Sequence, residues 1–203
     1  MAHPAPACAI LLPAAGSSRR MQGADKLLMP LHACVPILHH VARIATAVSP
    51  HVAVTLRPDD TARRAALDGL RLERLRVAQA QEGMAASLRA GAAWALQQPV
   101  NALMIALPDM PDVTQDDFRA LIAAQALHPH QPLRAASHKM QPGHPVILPR
   151  ALLPELLHLS GDRGAASVLK AHPPRLHALS GQRALTDLDS PEDWENWRAG
   201  QGI

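Results

Sequence analysis

Three groups of residues in this 203-residue chain have types and spacings that could bind a phosphorylated ligand. The first is the small-residue stretch 14–18, which follows the apolar run 10–12 and precedes two arginines and Lys26. Such a loop leaves backbone N–H groups with little side-chain bulk around them, so they can close on an anion. Arginine and lysine beside these groups suit a polyphosphate, although a basic surface turn has the same composition. The candidate phosphate ligands are Ala14, Ala15, Gly16, Ser17, Ser18, Arg20 and Lys26.

The second group consists of acidic residues that could bind a metal ion. Asp109 follows the apolar run 102–107, and ligands of open parallel sheets bind at the carboxyl ends of such strands. A carboxylate there would suit Mg²⁺, which prefers one or two carboxylates together with substrate phosphates. Asp187 and Asp189 lie two residues apart in a predicted short strand, so they face the same side and could complete the site. A turn-forming role for Asp109 and a helix-capping role for the later acids are the alternatives.

The third group lies at a predicted helix start and in two later loops. Gly83 and Ser87 open the predicted helix 83–96, where backbone amides can contact a base or a ribose, as an ordinary helix start also could. His144 lies between a glycine and a proline, where histidine is often structural. Asp162 and Arg163 lie between two glycines, and the arginine could meet an anionic acceptor or simply be exposed.

The elements that must position these residues alternate between strands and helices. Apolar runs predict strands at residues 10–12, 51–56, 75–80, 102–107, 133–137, 145–148, 175–179 and 185–188. Helical periodicity and capping residues predict helices at 37–48, 59–67, 83–96, 151–159 and 165–171, with two more beginning at Thr114 and Ser190. This order predicts a doubly wound α/β sheet, and no linker divides the chain, so we expect one domain over residues 1–203.

Composition makes several classes of function unfavourable. Aromatic residues are only 2% of the chain and the net charge is only +3, a poor basis for binding nucleic acid. No apolar segment reaches 18 residues and the N-terminus lacks a signal-peptide pattern, so no membrane association is expected. The two cysteines, without metal-ligand spacing, suggest a reducing cytoplasm, and the 12 histidines are scattered as solvated residues would be.

The loop A-A-G-S-S-R-R-M-Q-G-A-D-K resembles the signature loop of the nucleotidyltransferases related to the molybdenum-cofactor enzymes. It is most similar to the cytidylyltransferase branch, the MocA-like proteins. The segments G-M-A-A-S-L, L-P-D-M-P, G-H-P-V, G-D-R-G-A and D-L-D-S-P-E-D resemble further motifs of that family and occur in the family's order. Two departures are Gln22, where glycine is frequent, and Pro13, where leucine or alanine is usual.

The resemblance implies a Rossmann-like, GT-A-like three-layer sandwich with a mostly parallel sheet, formed by one MobA-like NTP transferase domain. It implies transfer of CMP from CTP to molybdopterin with release of pyrophosphate, and a Mg²⁺ or Mn²⁺ requirement. A molybdoenzyme would then receive the product. GTP as the nucleotide, a sugar phosphate as the acceptor, and a non-catalytic escort of a cofactor are the alternatives.

The resemblance also assigns roles to the candidate residues. Arg20 and Lys26 would bind the triphosphate within the loop formed by residues 14–18. Asp109 would hold the metal with Asp187, or in second place with Asp189. Gly83 and Ser87 would contact the nucleotide, and the acceptor would meet His144, Asp162 and Arg163.

Overall fold

The computed structural model describes residues 7–17, 21, 23–31, 34–162 and 164–202. The strands of these residues are β1 (Cys8–Pro13), β2 (Val52–Leu56), β3 (Glu73–Arg76), β4 (Ala102–Ile105), β5 (Leu133–Ala136), β6 (Pro142–Pro149) and β7 (Arg175–Ala178). The helices are α1 (Ile37–Thr46), α2 (Thr61–Ala66), α3 (Met84–Leu96), α4 (Gln115–Ala126), α5 (Leu153–Leu156), α6 (Ala166–Ala171) and α7 (Pro191–Gln201). In this part of the chain no helix is long and apolar enough to cross a membrane.

The seven strands form one mostly parallel sheet in the order β3-β2-β1-β4-β6-β5-β7. Strands β1 to β4 are parallel to one another, β6 is antiparallel to β4 and β5, and β7 is parallel to β5. The predicted α/β class is confirmed. Because the chain proceeds from β1 to one side and returns to β4 on the other, the loops after β1 and β4 meet at a switch point where ligands bind in such sheets.

Alternating side chains of β1 support a separate helical layer on each face of the sheet. Ile10 and Leu12 pack in a cluster with apolar residues of α1, α4 and α7. Leu11 packs on the opposite face with residues of α3, α5 and α6. Each β1 side chain from residue 8 to 12 is at least 95% buried, as expected for a central strand covered on both faces. The result is the expected three-layer sandwich.

Helix α3 is held close to the sheet at its middle and at its end. A Cβ atom at Gly91 would lie 2.1 Å from Leu11 Cδ2, so glycine is what allows this close approach of helix and strand. Arg150 donates to backbone oxygens in the last turn of α3 and in the segment that follows it. These acceptors are the oxygens of Ala95, Leu96, Gln98 and Val100. These contacts hold the middle and the C-terminal end of α3 in place.

Three segments differ from their predicted form. Strand β3 covers Glu73–Arg76 instead of 75–80, and its charged residues are typical of an edge strand. Residues 153–156 form a short helix after a 3₁₀ turn, in place of the predicted helix 151–159. Residues 185–188 are not a strand, and Leu188 N instead donates a hydrogen bond, at 3.1 Å, to the oxygen of Asp109 in the loop after β4.

Candidate active site

A cavity of about 550 Å³ opens at the carboxyl ends of β1 and β4. Its size is in the range of small-molecule sites. Residues that line it include nine that the sequence analysis selected: Gly16, Ser17, Lys26, Gly83, Ser87, Asp109, Asp162, Asp187 and Asp189. The tertiary structure therefore brings together candidates from six separate segments of the chain. Ser18, Arg20 and Arg163 lie outside the described residues, as does Gln22.

Lys26 joins two of the acidic residues at this cavity. Its Nζ donates hydrogen bonds to Asp109 Oδ2 and to Asp189 Oδ1, each at 2.5 Å. Burial by itself lowers the pKa of Lys26, but the charge of Asp109 and the hydrogen bonds to both carboxylates outweigh it, so the pKa is raised. Lys26 is thus a persistent positive charge at the end of the sheet, held within reach of any anion that enters.

Asp109 has one carboxylate oxygen that finds no hydrogen-bond partner among the described residues. The residue is 7% exposed, and its Oδ1 is buried without a hydrogen-bond partner among the described residues. Because buried polar atoms are normally satisfied, this oxygen fits a cation such as Mg²⁺, whose preferred ligands are carboxylate oxygens. Among those same residues no group of three or more His, Cys, Asp and Glu side chains is arranged to hold a metal. A metal on Asp109 would therefore take ligands from a bound phosphate as well.

The segment that carries Asp187 and Asp189 is anchored on both sides. Leu188 is buried in the core, and Asp193 Oδ2 accepts hydrogen bonds from the N–H groups of Asp189 and Ser190 at 3.1 and 2.8 Å. This is the capping box of α7, so the acids before the helix are held by the helix start. Partial burial raises the pKa of Asp187, and the charges of Asp189 and Asp109 raise it further, against the opposing charge of Lys26. A cation near Asp187 would relieve this repulsion.

The loop after β1 uses its first residue for the sheet. Ala14 N donates to the backbone oxygen and to Oγ1 of Thr55, both at 3.1 Å, so this predicted phosphate ligand already has protein partners. Ala15 does not line the main cavity but lines an adjoining one of about 340 Å³, which also includes Ser17. Gly16 and Ser17 are the described residues of the loop that reach the main cavity.

A buried arginine that the sequence analysis did not single out supports this loop. Arg63 of α2 is 1% exposed and donates to the backbone oxygens of Ala14 and Gly16 and to the carboxylate of Asp25. Arg64, its neighbour in sequence, has the same local composition but is partly exposed, so composition does not distinguish the two arginines. Asp60 is recognisable in the sequence as a helix-capping residue and so indicates where α2 begins. It does not indicate that Arg63 contacts the loop.

The start of α3 is bonded to Gly161 and Asp162. Gly83 has a φ of +89°, and a Cβ atom there would lie 1.7 Å from Asp162 Oδ1, so this position requires glycine. Asp162 Oδ1 accepts a hydrogen bond from Met84 N at 3.3 Å, and Ala85 N donates to Gly161 O at 3.1 Å. The carboxylate of Asp162 therefore lies at the N-terminus of α3, beside the segment predicted to contact the nucleotide.

His144 lies apart from the residues that line the cavity. It is partly buried at the start of β6, and its Nδ1 has no hydrogen-bond partner among the described residues. Burial lowers its pKa to about 4, with a further lowering by the charge of Arg134, while Asp109 and the backbone of Ile105 oppose the shift. His144 is accordingly neutral near pH 7.

This shift predicts a pH dependence of stability. Between pH 6.5 and 4 the unfolded chain binds a proton at His144 and the folded protein does not, so the free energy of unfolding falls as the pH falls through this window. We expect His144 to account for up to about 3 kcal/mol of that decrease. Urea unfolding at a series of pH values should show a shallower decline for His144→Gln than for the wild type. The exposed-site variant His130→Gln should keep the wild-type slope, and equal slopes in all three proteins would contradict the assignment.

The geometry and the fold define a class of protein, and comparisons with known proteins identify it. A parallel α/β sheet with a cationic and acidic cavity at its switch point is the architecture of a nucleotide-binding enzyme. Residues 9–176 match the MobA-like NTP transferase domain, and the chain belongs to that family as a nucleotidyltransferase. No protein of curated function matches the chain significantly in sequence.

Solved structures share the whole fold. Rv0371c from Mycobacterium tuberculosis is 26% identical, with a TM-score of 0.77 over 95% of this chain and 97% of that one. A manganese complex of Rv0371c is 24% identical, with a TM-score of 0.73 over 94% and 97%. A nucleotidyl transferase from Methanothermobacter is 21% identical, with a TM-score of 0.74 over 96% and 97%. CMP:2-keto-3-deoxy-manno-octonic acid synthetase, solved with CTP, is 14% identical, with a TM-score of 0.74 over 97% and 100%. The likenesses below 25% identity show the fold alone.

Proposed function

We propose that this protein is a MocA-like cytidylyltransferase, which transfers CMP from CTP to the phosphate of molybdopterin and releases pyrophosphate. The observation that carries the proposal is Lys26 held between Asp109 and Asp189, beside an Asp109 Oδ1 that no described residue contacts by a hydrogen bond. Lys26 is a protonated donor for phosphate oxygens and Asp109 is a carboxylate suited to a cation. Both lie at the switch point of the sheet. The sequence motifs support CTP as the nucleotide, and the fold shared with a synthetase solved with CTP agrees with that choice.

The proposed roles follow from position and charge. Gly16, Ser17, Lys26 and Arg20 would bind the triphosphate, joined by Ala15 and Ser18 of the same loop, while Ala14 N stays bonded to Thr55. Gly83 and Ser87 would contact the nucleoside, while Asp162, Arg163 and His144 would meet the acceptor. The protein would then act by holding the reacting phosphates together and neutralising their charge, which can account for a large share of a phosphoryl-transfer rate enhancement.

The chemistry is a single displacement at phosphorus. An oxygen of the acceptor phosphate forms a bond to the α-phosphorus of CTP, while the bond from that phosphorus to the bridging oxygen breaks. Pyrophosphate leaves with the bonding electron pair, so no general base is needed for an acceptor that is already ionised. Lys26 would donate to the phosphate oxygens on which negative charge increases as the bond breaks.

The residues present fit a divalent metal ion. Asp109 through Oδ1 and Asp187 would hold Mg²⁺ or Mn²⁺, with Asp189 as a further ligand. Asp187 is the better second ligand since Asp189 already accepts a hydrogen bond from Lys26. Burial and then the charges of Asp189 and Asp109 raise the pKa of Asp187, and a cation would offset the charge repulsion. When bound, the metal would supply positive charge that neutralises the phosphates. The manganese complex of Rv0371c agrees with such a site.

Thermal unfolding with each nucleoside triphosphate, with and without Mg²⁺ or Mn²⁺, tests the proposal. A ligand at about 100 times its dissociation constant adds roughly 2.7 kcal/mol of stability, which raises Tm by about 5–10 °C in a domain of this size. We expect the largest metal-dependent rise with CTP, and metal-dependent release of pyrophosphate when molybdopterin is added. A larger rise with GTP would indicate a guanylyltransferase. Release with a sugar phosphate and not with molybdopterin would change the acceptor, and binding without any release would indicate an escort protein.

A further inference from the structure

We propose that Arg63 is a positioning residue that holds together the two ends of the phosphate-binding loop, residues 14–17 and Asp25. This loop consists of residues 14–25 and connects the end of β1 to Lys26. The inference rests on the proposed function, in which this loop binds the triphosphate. It adds a residue from outside the loop motif, contributed by α2 and 38 positions away from Asp25 in sequence.

The guanidinium of Arg63 connects the two ends of the loop. At the far end, Nε and Nη2 donate to the two carboxylate oxygens of Asp25 at 2.7 and 2.8 Å, a bidentate pair. At the near end, Nη1 donates to the backbone oxygens of Ala14 and Gly16 at 2.6 and 2.7 Å. One planar group thus fixes the separation of both loop ends.

The contacts at the near end also orient backbone amides. In a trans peptide the C=O and N–H groups point in opposite directions. When Arg63 holds the oxygens of Ala14 and Gly16, the N–H groups of Ala15 and Ser17 are turned away from Arg63. A loop that binds phosphate through its amides needs this orientation, because a carbonyl oxygen in place of an N–H would repel the anion.

The contact at the far end reaches the functional lysine. Asp25 Oδ1 also accepts a hydrogen bond from Leu27 N at 3.1 Å and thereby caps the 3₁₀ turn Lys26–Leu28. Lys26 starts that turn, and its Nζ contacts Asp109 and Asp189. Arg63 therefore acts on the position of Lys26 through Asp25.

The environment of Arg63 favours arginine over other side chains. Asp60, whose side chain is 6% exposed, lies 3.4 Å from Arg63 Nε and so helps to balance a buried positive charge. A lysine has the charge but not the planar fork needed to reach a carboxylate and two carbonyl oxygens together. An apolar residue would leave these acceptors, most of them partly buried, without this donor.

Two substitutions of Arg63 and a matched control test the inference. Arg150 is the control, because it also ties several backbone oxygens together but lies at the far end of α3, outside the residues that line the cavity. We expect Arg63→Met and Arg150→Met both to lower Tm. Only Arg63→Met should raise the Kd of CTP with Mg²⁺, by about 10-fold or more, because an unheld loop must be ordered on binding. Arg63→Lys should have an intermediate effect.

Steady-state kinetics and amide hydrogen exchange measure effects that a loss of overall stability alone would not produce. The loss in Arg63→Met should affect KM more than kcat, since the chemical groups of the cavity are retained. The amides of Leu27 and Leu28, which donate to Asp25, should exchange about 10-fold faster in Arg63→Met than in the wild type, as local opening becomes easier. Arg150→Met should leave that exchange unchanged. Asp25→Asn should reproduce the effect if Arg63→Met does not fold.

The outcomes separate this inference from the proposed function. Equal CTP affinity in Arg63→Met and Arg150→Met would overturn the role of Arg63 in binding. If the wild type binds no nucleotide, the proposed function fails, and hydrogen exchange still decides whether Arg63 positions the loop. Unchanged exchange of Leu27 and Leu28 in Arg63→Met would overturn the inference in that case as well.

Discussion

Replacing Lys26 by alanine is expected to lower turnover by about 10²-fold or more, which corresponds to about 2.7 kcal/mol of lost transition-state stabilisation. The side chain of Lys26 lies between Asp109 and Asp189 and carries a persistent positive charge. Without it, the charge that increases on the leaving phosphates has one donor fewer. Initial rates at saturating CTP, metal and acceptor measure the effect on turnover.

The control for Lys26 must separate chemistry from folding. Lys26→Ala also leaves Asp109 and Asp189 without their shared partner, so its Tm should be measured beside its rate. Lys139 lies on the exposed turn between β5 and β6, and Lys139→Ala should retain wild-type turnover. A folded Lys26→Ala protein with near-native turnover would refute the proposed mechanism.

Asp109→Asn is expected to have a comparable effect on turnover, about 10²-fold or more, for a different reason. The substitution preserves the shape of the side chain and an oxygen that can still accept from Lys26. It removes the negative charge of the carboxylate, including that of the buried Oδ1, to which no residue in the described ranges donates a hydrogen bond. Binding of Mn²⁺, followed by its magnetic resonance signal in the presence of CTP, should weaken in parallel with the rate.

A second acid provides the comparison for Asp109. Asp116 is 91% exposed at its side chain and pairs only with Arg119 of the same helix in the described part of the chain. Asp116→Asn should therefore leave both turnover and Mn²⁺ binding unchanged, since exposed pairs contribute little. Native Mn²⁺ affinity in Asp109→Asn would show that the metal binds elsewhere and would remove Asp109 from its proposed role.

Local features of the sequence were sufficient to predict much of the architecture. The apolar run that became β1 and the capping residues at Thr114 and Ser190 each depend on neighbours within a few positions. Such patterns act before any distant contact forms, so they predict elements and their order. The prediction of a strand at 185–188 was wrong. An apolar residue between two acids, such as Leu188, occurs in a paired strand and equally in an extended segment that pairs with no strand, so this pattern does not distinguish the two.

Sequence alone therefore determined the family motifs, the α/β class and most residues that line the cavity. The tertiary structure decided which of them touch. Lys26 meets Asp109 across 83 positions and Asp189 across 163, and Arg63 meets Asp25 across 38. The depressed pKa of His144 depends in the same way on burial and on the charge of Arg134. These contacts form only when parallel strands bring distant loops to one edge of the sheet, and burial then sets the strength of each charge.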